Sequence, residues 1–180
     1  YAPVASGGLG VEASAVGAVL TATGVSILSF QVLMLPCLLK RFSTTGLLRA
    51  STLLLVPIVI LMPNVSLAPV PLRWPLFVVL ISASKALAGA FFTCSFMLIN
   101  NSVPPGGRGS VQGIAMMLAS VSRGVGPVAA SMLFAWSLVN GLDVPGLGVR
   151  FVFLLSGLMG LVSWLVACRM DDSYNRPVVE

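Results

Sequence analysis

The stretch PLFVVLISASKALAGAFFTCSFMLI, residues 75–99, holds one charge, Lys85, in twenty-five residues. A helix rises about 1.5 Å per residue, so this one would be roughly 37 Å long, enough to cross a hydrocarbon core of about 30 Å. Working outward, four more continuous apolar runs follow, at 15–39, 47–63, 111–139 and 149–168. β-Barrel strands would instead show segments of about ten residues in alternation. Charged residues make up 8% of the chain, against about a quarter in a soluble domain. That is too few to cover a water-facing surface. The chain therefore reads as an all-α, polytopic membrane helix bundle of about five transmembrane helices.

The run at 47–63 is short and carries Pro57 near its middle, whereas 111–139 is long enough to require a tilt or a kink. The run at 15–39 is closed by Pro36 and the basic pair Lys40-Arg41. Connections are rich in turn formers: Ser43-Thr44-Thr45-Gly46, Asn64 to Arg73, Pro104-Pro105-Gly106-Gly107, and Asn140 to Gly148. None has room for a soluble domain. Residues 1–180 are expected to form a single, partial membrane domain, with 1–14 an outer loop and 169–180 a cytoplasmic tail.

Basic residues set the orientation. Lys40, Arg41, Arg49, Arg108, Arg169 and Arg176 fall on one side of the runs, and only Arg73 and Arg150 on the other. The positive-inside rule then places the C-terminus in the cytoplasm. The net charge of +5 is spread one or two residues at a time, which suits this rule and not a nucleic-acid surface. Tyr1 would lie outside, with neither an initiator Met nor a signal-peptide pattern. The expectation is that an odd number of spans precedes this piece, as part of a missing N-terminal half of the same polypeptide.

Two charges sit at mid-membrane depth, Lys85 and Arg123. Each costs at least about 2.5–3.5 kcal/mol there, so such residues face a bundle interior, a water-filled cavity or an opposite charge. The five acidic residues, Glu12, Asp143, Asp171, Asp172 and Glu180, all lie in loops or tails. A counter-charge must come from other spans, a bound anion, water or backbone carbonyls. Lys85 and Arg123 are the leading candidates to line a substrate or ion pathway, and Gln31 is a weaker one. The plainer alternative is interhelical pairing or snorkelling with no ligand role. Without an embedded Asp, Glu or His, any proton relay lies elsewhere, or uses Lys85 with a pKa depressed by burial.

Around Arg123 the fourth run collects packing devices. Gly109 and Gly113 form a GxxxG pair, and Gly124, Gly126 and Pro127 follow the arginine directly. Small residues permit close helix approach, and proline kinks a helix. A hinge or a tight contact beside the cavity is expected. Cys37, Cys94 and Cys168 form no CxxC pair and read as small buried hydrophobes. No HExxH, GxSxG, Gly-rich phosphate loop or His is present. The expectation is no enzyme, no catalytic residue, no metal site and no cofactor.

The run from Asn100 to Gly113 (NNSVPPGGRGSVQG), followed by Ser122 to Pro127 (SRGVGP), resembles the tenth-to-eleventh span region of major facilitator superfamily transporters. The likeness is to the zinc-induced facilitator-like and drug:proton antiporter branch in particular. Gly7-Gly8-Leu9-Gly10 with Ala15-Val16-Gly17 resembles the loop leading into the eighth span, and PCLLKRFSTTGLLR, residues 36–49, the basic loop that follows it. Two places depart from the pattern: Ser43 stands where Gly is expected, and Ala129-Ala130 where a Gly pair is expected. The resemblance implies that the five runs are spans eight to twelve of twelve, with Lys85, Arg123 and Gln31 on or beside cavity-lining spans. It implies a secondary transporter, not competent alone, that moves a small-molecule substrate across a lipid bilayer by alternating access, coupled to protons. The alternative is a non-transporting membrane scaffold or pseudo-transporter on the same bundle.

Overall fold

A computed structural model of the chain describes residues 13–139 and 147–175, with side chains over 17–137 and 150–175. The sequence-level assignments that fall on 1–12, on Asp143, and on Arg176 and Glu180 lie outside the described residues. All regular structure among the described residues is helical: α1 (Ala13–Ser29), a π-helical turn (Phe30–Met34), α2 (Leu35–Arg41), α3 (Thr44–Leu61), α4 (Val70–Asn101), α5 (Arg108–Val139) and α6 (Leu147–Cys168), with short 3-10 turns at Met62–Leu67, Pro105–Gly107 and Asp172–Asn175. Among the described residues, five helices are long and apolar enough to cross a membrane, at Gly17–Arg41, Thr44–Leu67, Val70–Asn101, Pro105–Ser137 and Arg150–Cys168. The chain is a multi-pass membrane helix bundle.

The first span does not stop at Pro36. The helix widens one turn earlier, where Leu35 N–H donates to Phe30 O, five residues back. Pro36 then sits in the first turn of α2, and the helix runs on to Lys40 and Arg41. A proline lacks the N–H that a helix interior needs, and the π-turn absorbs that gap. Gln31 lies inside the turn. Its carbonyl loses its α-helical donor, because Leu35 N–H is used by Phe30 O and Pro36 has none.

Ser43, which departs from the family pattern, caps α3. Its hydroxyl oxygen accepts from Gly46 N–H at 3.1 Å, while its backbone is extended at φ −65°, ψ 150°. A serine here satisfies one of the free N–H groups of the first turn. Gly46 is matched to it, since a Cβ at 46 would lie 2.8 Å from Ser43 Oγ.

α3 is the hub: it packs against α4 on one side and α6 on the other, α1 packs on α4, and α5 lies mainly against α6. Gly157 and Gly160 of α6 let its backbone close onto α3. A Cβ at 157 would lie 2.8 Å from Ile60 Cγ1, and one at 160 would lie 2.9 Å from Val56 Cγ2. A buried cluster of Leu35, Leu47, Leu48, Ala90, Cys94, Leu98 and Ala167 fills the end where α2 meets α3. Cys94 is wholly buried there and behaves as a small core hydrophobe; Cys37 and Cys168 are exposed in this bundle.

A polar lock closes the same end. Thr45 Oγ1 donates to Asp172 Oδ1 at 2.6 Å, and Thr45 N–H donates to Asn175 Oδ1 at 3.0 Å. Arg49 donates to Ala167 O at 3.1 Å, in the last turn of α6, and to Met170 O at 2.6 Å, just beyond its end. A cation at a helix C-terminus satisfies those carbonyls and complements the dipole. The Arg49–Asp172 ion pair at 3.6 Å is solvent-exposed on its Asp172 side, so it adds less than the hydrogen bonds around it.

Candidate functional site

α4 has two faces. Ala90, Cys94 and Leu98 are buried in the core. Successive residues turn by about 100° around a helix, so positions 85, 89, 92 and 96 share the opposite face. Lys85 lies on it and is exposed in this bundle.

The other two candidates meet that face. A Cβ at Gly89 would lie 2.7 Å from Gln31 Nε2, so the Gln31 amide packs on the α4 backbone at this glycine and would have to shift for any side chain there. Arg123 of α5 places its guanidinium carbon 4.3 Å from the centroid of the Phe92 ring. Phe92 in turn makes an edge contact with Phe96, ring centroids 4.5 Å apart at 68°. Gln31 and Arg123 therefore meet α4 at points about 6 and 10 Å along its axis from Lys85. The structure brings all three residues onto one stripe of one helix.

Gly89 and Phe92 are the residues that reading the sequence alone passed over. Their signal was the spacing i+4 and i+7 from Lys85, which is visible once the Lys85 face is taken as functional.

The energetics of Arg123 leave a deficit. A cation–π contact supplies about 0.5–2 kcal/mol, against a midplane cost of at least about 2.5–3.5 kcal/mol. Arg123 makes no hydrogen bond or ion pair among the described residues. Its own carbonyl is also without its helical donor, because Pro127 sits four residues on inside α5. The serines near it on α5 are not free to help: Ser120, Ser122 and Ser131 donate back to Met116 O, Leu118 O and Pro127 O.

Around Arg123 the face of α5 is open. A Cβ at Gly109, Gly113, Gly124 or Gly126 would meet no atom within 4 Å among the described residues. Pro127 lies within the continuous α5. A groove of about 480 Å³ lies between the first span and α4, lined by apolar residues such as Phe30 and Leu33 and by Ser26, Ser29 and Ser82. The Ser82 hydroxyl is buried with no hydrogen-bond partner. Among the described residues, no group of His, Cys, Asp and Glu could hold a metal ion.

The family model described as Major Facilitator Superfamily matches residues 1–178. The "Probable peptide/nitrate transporter" of Arabidopsis thaliana is 34% identical over 73% of this chain and 27% of its own length. Protein ZINC INDUCED FACILITATOR 1 of the same plant is 32% identical over 82% of this chain and 31% of its own. The major facilitator superfamily multidrug transporter mfsB of Aspergillus fumigatus is 29% identical over 77% and 23%. The chain thus spans about a quarter to a third of the length of these curated relatives. No solved structure matches it. With a family model covering nearly every residue and a helix bundle to suit it, the chain belongs to the major facilitator superfamily.

Proposed function

We propose that these five helices are the eighth to twelfth spans of a twelve-span secondary transporter, which moves a small solute by alternating access and couples it to protons. The observation that carries this reading is the meeting of Gln31, Lys85 and Arg123 on one face of α4 in a chain of a transporter family. Solutes in such folds bind near the midplane, between two halves related by pseudo-symmetry. The other half of the polypeptide would supply the opposite wall of the cavity.

The basic residues of the turns support a cytoplasmic C-terminus. No span carries an Asp, Glu or His, so the proton carrier is assigned to the rest of the polypeptide or to Lys85. The names of the relatives point to different cargoes, and two midplane cations favour an anionic solute or a metal chelate.

The test is uptake or efflux by the full-length protein carrying Arg123→Ala or Lys85→Ala at matched expression. Losing a charged hydrogen-bonding partner should weaken solute binding at least about tenfold in each. Near-normal transport by both variants would overturn the cavity assignment. A wild-type protein that inserts normally and moves nothing would favour the scaffold reading instead.

A further inference from the structure

The Arg123 guanidinium rests on a phenylalanine, not on an acid. A neutral ring differs from a carboxylate partner in one decisive respect. A desolvated guanidinium–carboxylate pair is a strong, bidentate contact that occupies the N–H fork. A ring face attracts the cation through its quadrupole and accepts none of its hydrogen bonds in that strong sense. The guanidinium is held in place, and its five donors stay available in a fixed planar array.

The seat is built to stay put. Phe92 is half-buried and its ring is braced edge-on by Phe96 at 4.5 Å. Lys85 stands two turns away on the same face, and the α5 surface around Arg123 is open. An incoming group would therefore meet an oriented fork, with a second positive charge about 10 Å along the helix.

We propose that Phe92 is a positioning residue, holding the Arg123 guanidinium so that its free N–H edge takes two oxygens of one anionic group, a carboxylate or a phosphate. The proposal rests on the reading of Arg123 as a cavity residue and deepens it by naming the chemistry bound. Because the ring contact is weaker than an ion pair, the anion engages the fork without first breaking a salt bridge. Release is easy for the same reason, as a transport cycle requires.

The experiment reads binding at Arg123 directly, separately from transport. Purified full-length protein is treated with phenylglyoxal, which modifies arginine, and modification of Arg123 is followed by peptide mass spectrometry. Citrate and inorganic phosphate are added as probes, with chloride at equal ionic strength as control. Protection by citrate alone, phosphate alone or both supports the proposal and tells which group the fork prefers. Protection by neither, or equally by chloride, overturns it.

The ring is then tested by substitution. Losing a cation–π contact should raise the half-protecting anion concentration up to about tenfold in Phe92→Ala. Phe92→Tyr and Phe92→Trp keep the quadrupole and should stay within about twofold of wild type. Phe92→Leu, which keeps an apolar side chain without the π-face, should follow alanine. Wild-type protection in Phe92→Leu would show that the ring only fills space, and the positioning role would fall. Failure of transport in Arg123→Ala is read in a different assay, so the two claims fail separately.

Discussion

Glycines on two helices of this bundle have opposite fates. On α6, Gly157 and Gly160 are pressed against Ile60 and Val56 of α3, with no room for even a methyl group. On α5, Gly109, Gly113, Gly124 and Gly126 face open space among the described residues, the last two beside a midplane arginine. Small residues alone mark a helix that something must approach closely. What approaches is told by the company they keep. On α6 the neighbours are mainly Leu, Met, Val and Trp, with Ser156 and Ser163 but no charge, which suit a close contact with α3. On α5 they are Ser120, Arg123, Pro127 and Ser131, which suit a wall that meets solute, water or another part of the polypeptide.

The comparison breaks if both glycine sets answer alike to bulk. Gly157→Leu forces a side chain into the α3 contact, and overpacking of this kind costs about 1–3 kcal/mol or more. A drop of several degrees in the melting temperature of the purified protein is expected. Gly124→Leu should shift melting by no more than about 2 °C and should instead reduce transport, because its bulk enters the open face next to Arg123. A stability loss as large as that of Gly157→Leu would place Gly124 in a closed contact.

Smaller effects sharpen the picture at the locked end. Ser43→Ala removes the α3 cap and should cost about 1 kcal/mol, while Ser43→Gly should cost only a few tenths, both read as shifts in melting temperature. Asp172→Ala loses the bond to Thr45 and an exposed ion pair, and should cost about 0.5–1 kcal/mol at low salt. Raising ionic strength should shrink the ion-pair share of that cost. An effect of Asp172→Ala larger than that of Gly157→Leu would make the tail, not the glycine contact, the main fastening of α6.

Much of this was legible in the sequence. Continuous apolar runs identify the membrane helices because lipid leaves no other structure open to a backbone, and 75–99 alone settles the helical reading. Lys85 and Arg123 stand out because charge at that depth is costly. Gly89 and Phe92 did not, since helix period shows which residues share a face but not which helix comes to cover it. The π-turn at Phe30–Met34 was hidden for a related reason: Pro36 signals a disturbed helix, and whether it ends or widens depends on packing. The lock between Thr45 and Asp172 joins residues 127 positions apart, and no local rule reaches across that distance.

The central claim is that the α4 face bearing Lys85, Phe92 and Phe96 borders the solute path, while the face bearing Ala90, Cys94 and Leu98 is core. Single cysteines at 85, 92, 96, 90, 94 and 98, in full-length protein with Cys37 and Cys168 replaced by serine and Cys94 by serine in all but one variant, would be exposed to a membrane-impermeant thiol reagent. Rapid modification is expected at 85, 92 and 96, with none at 90, 94 and 98. Equal modification of the two faces, or of the second alone, would contradict the account.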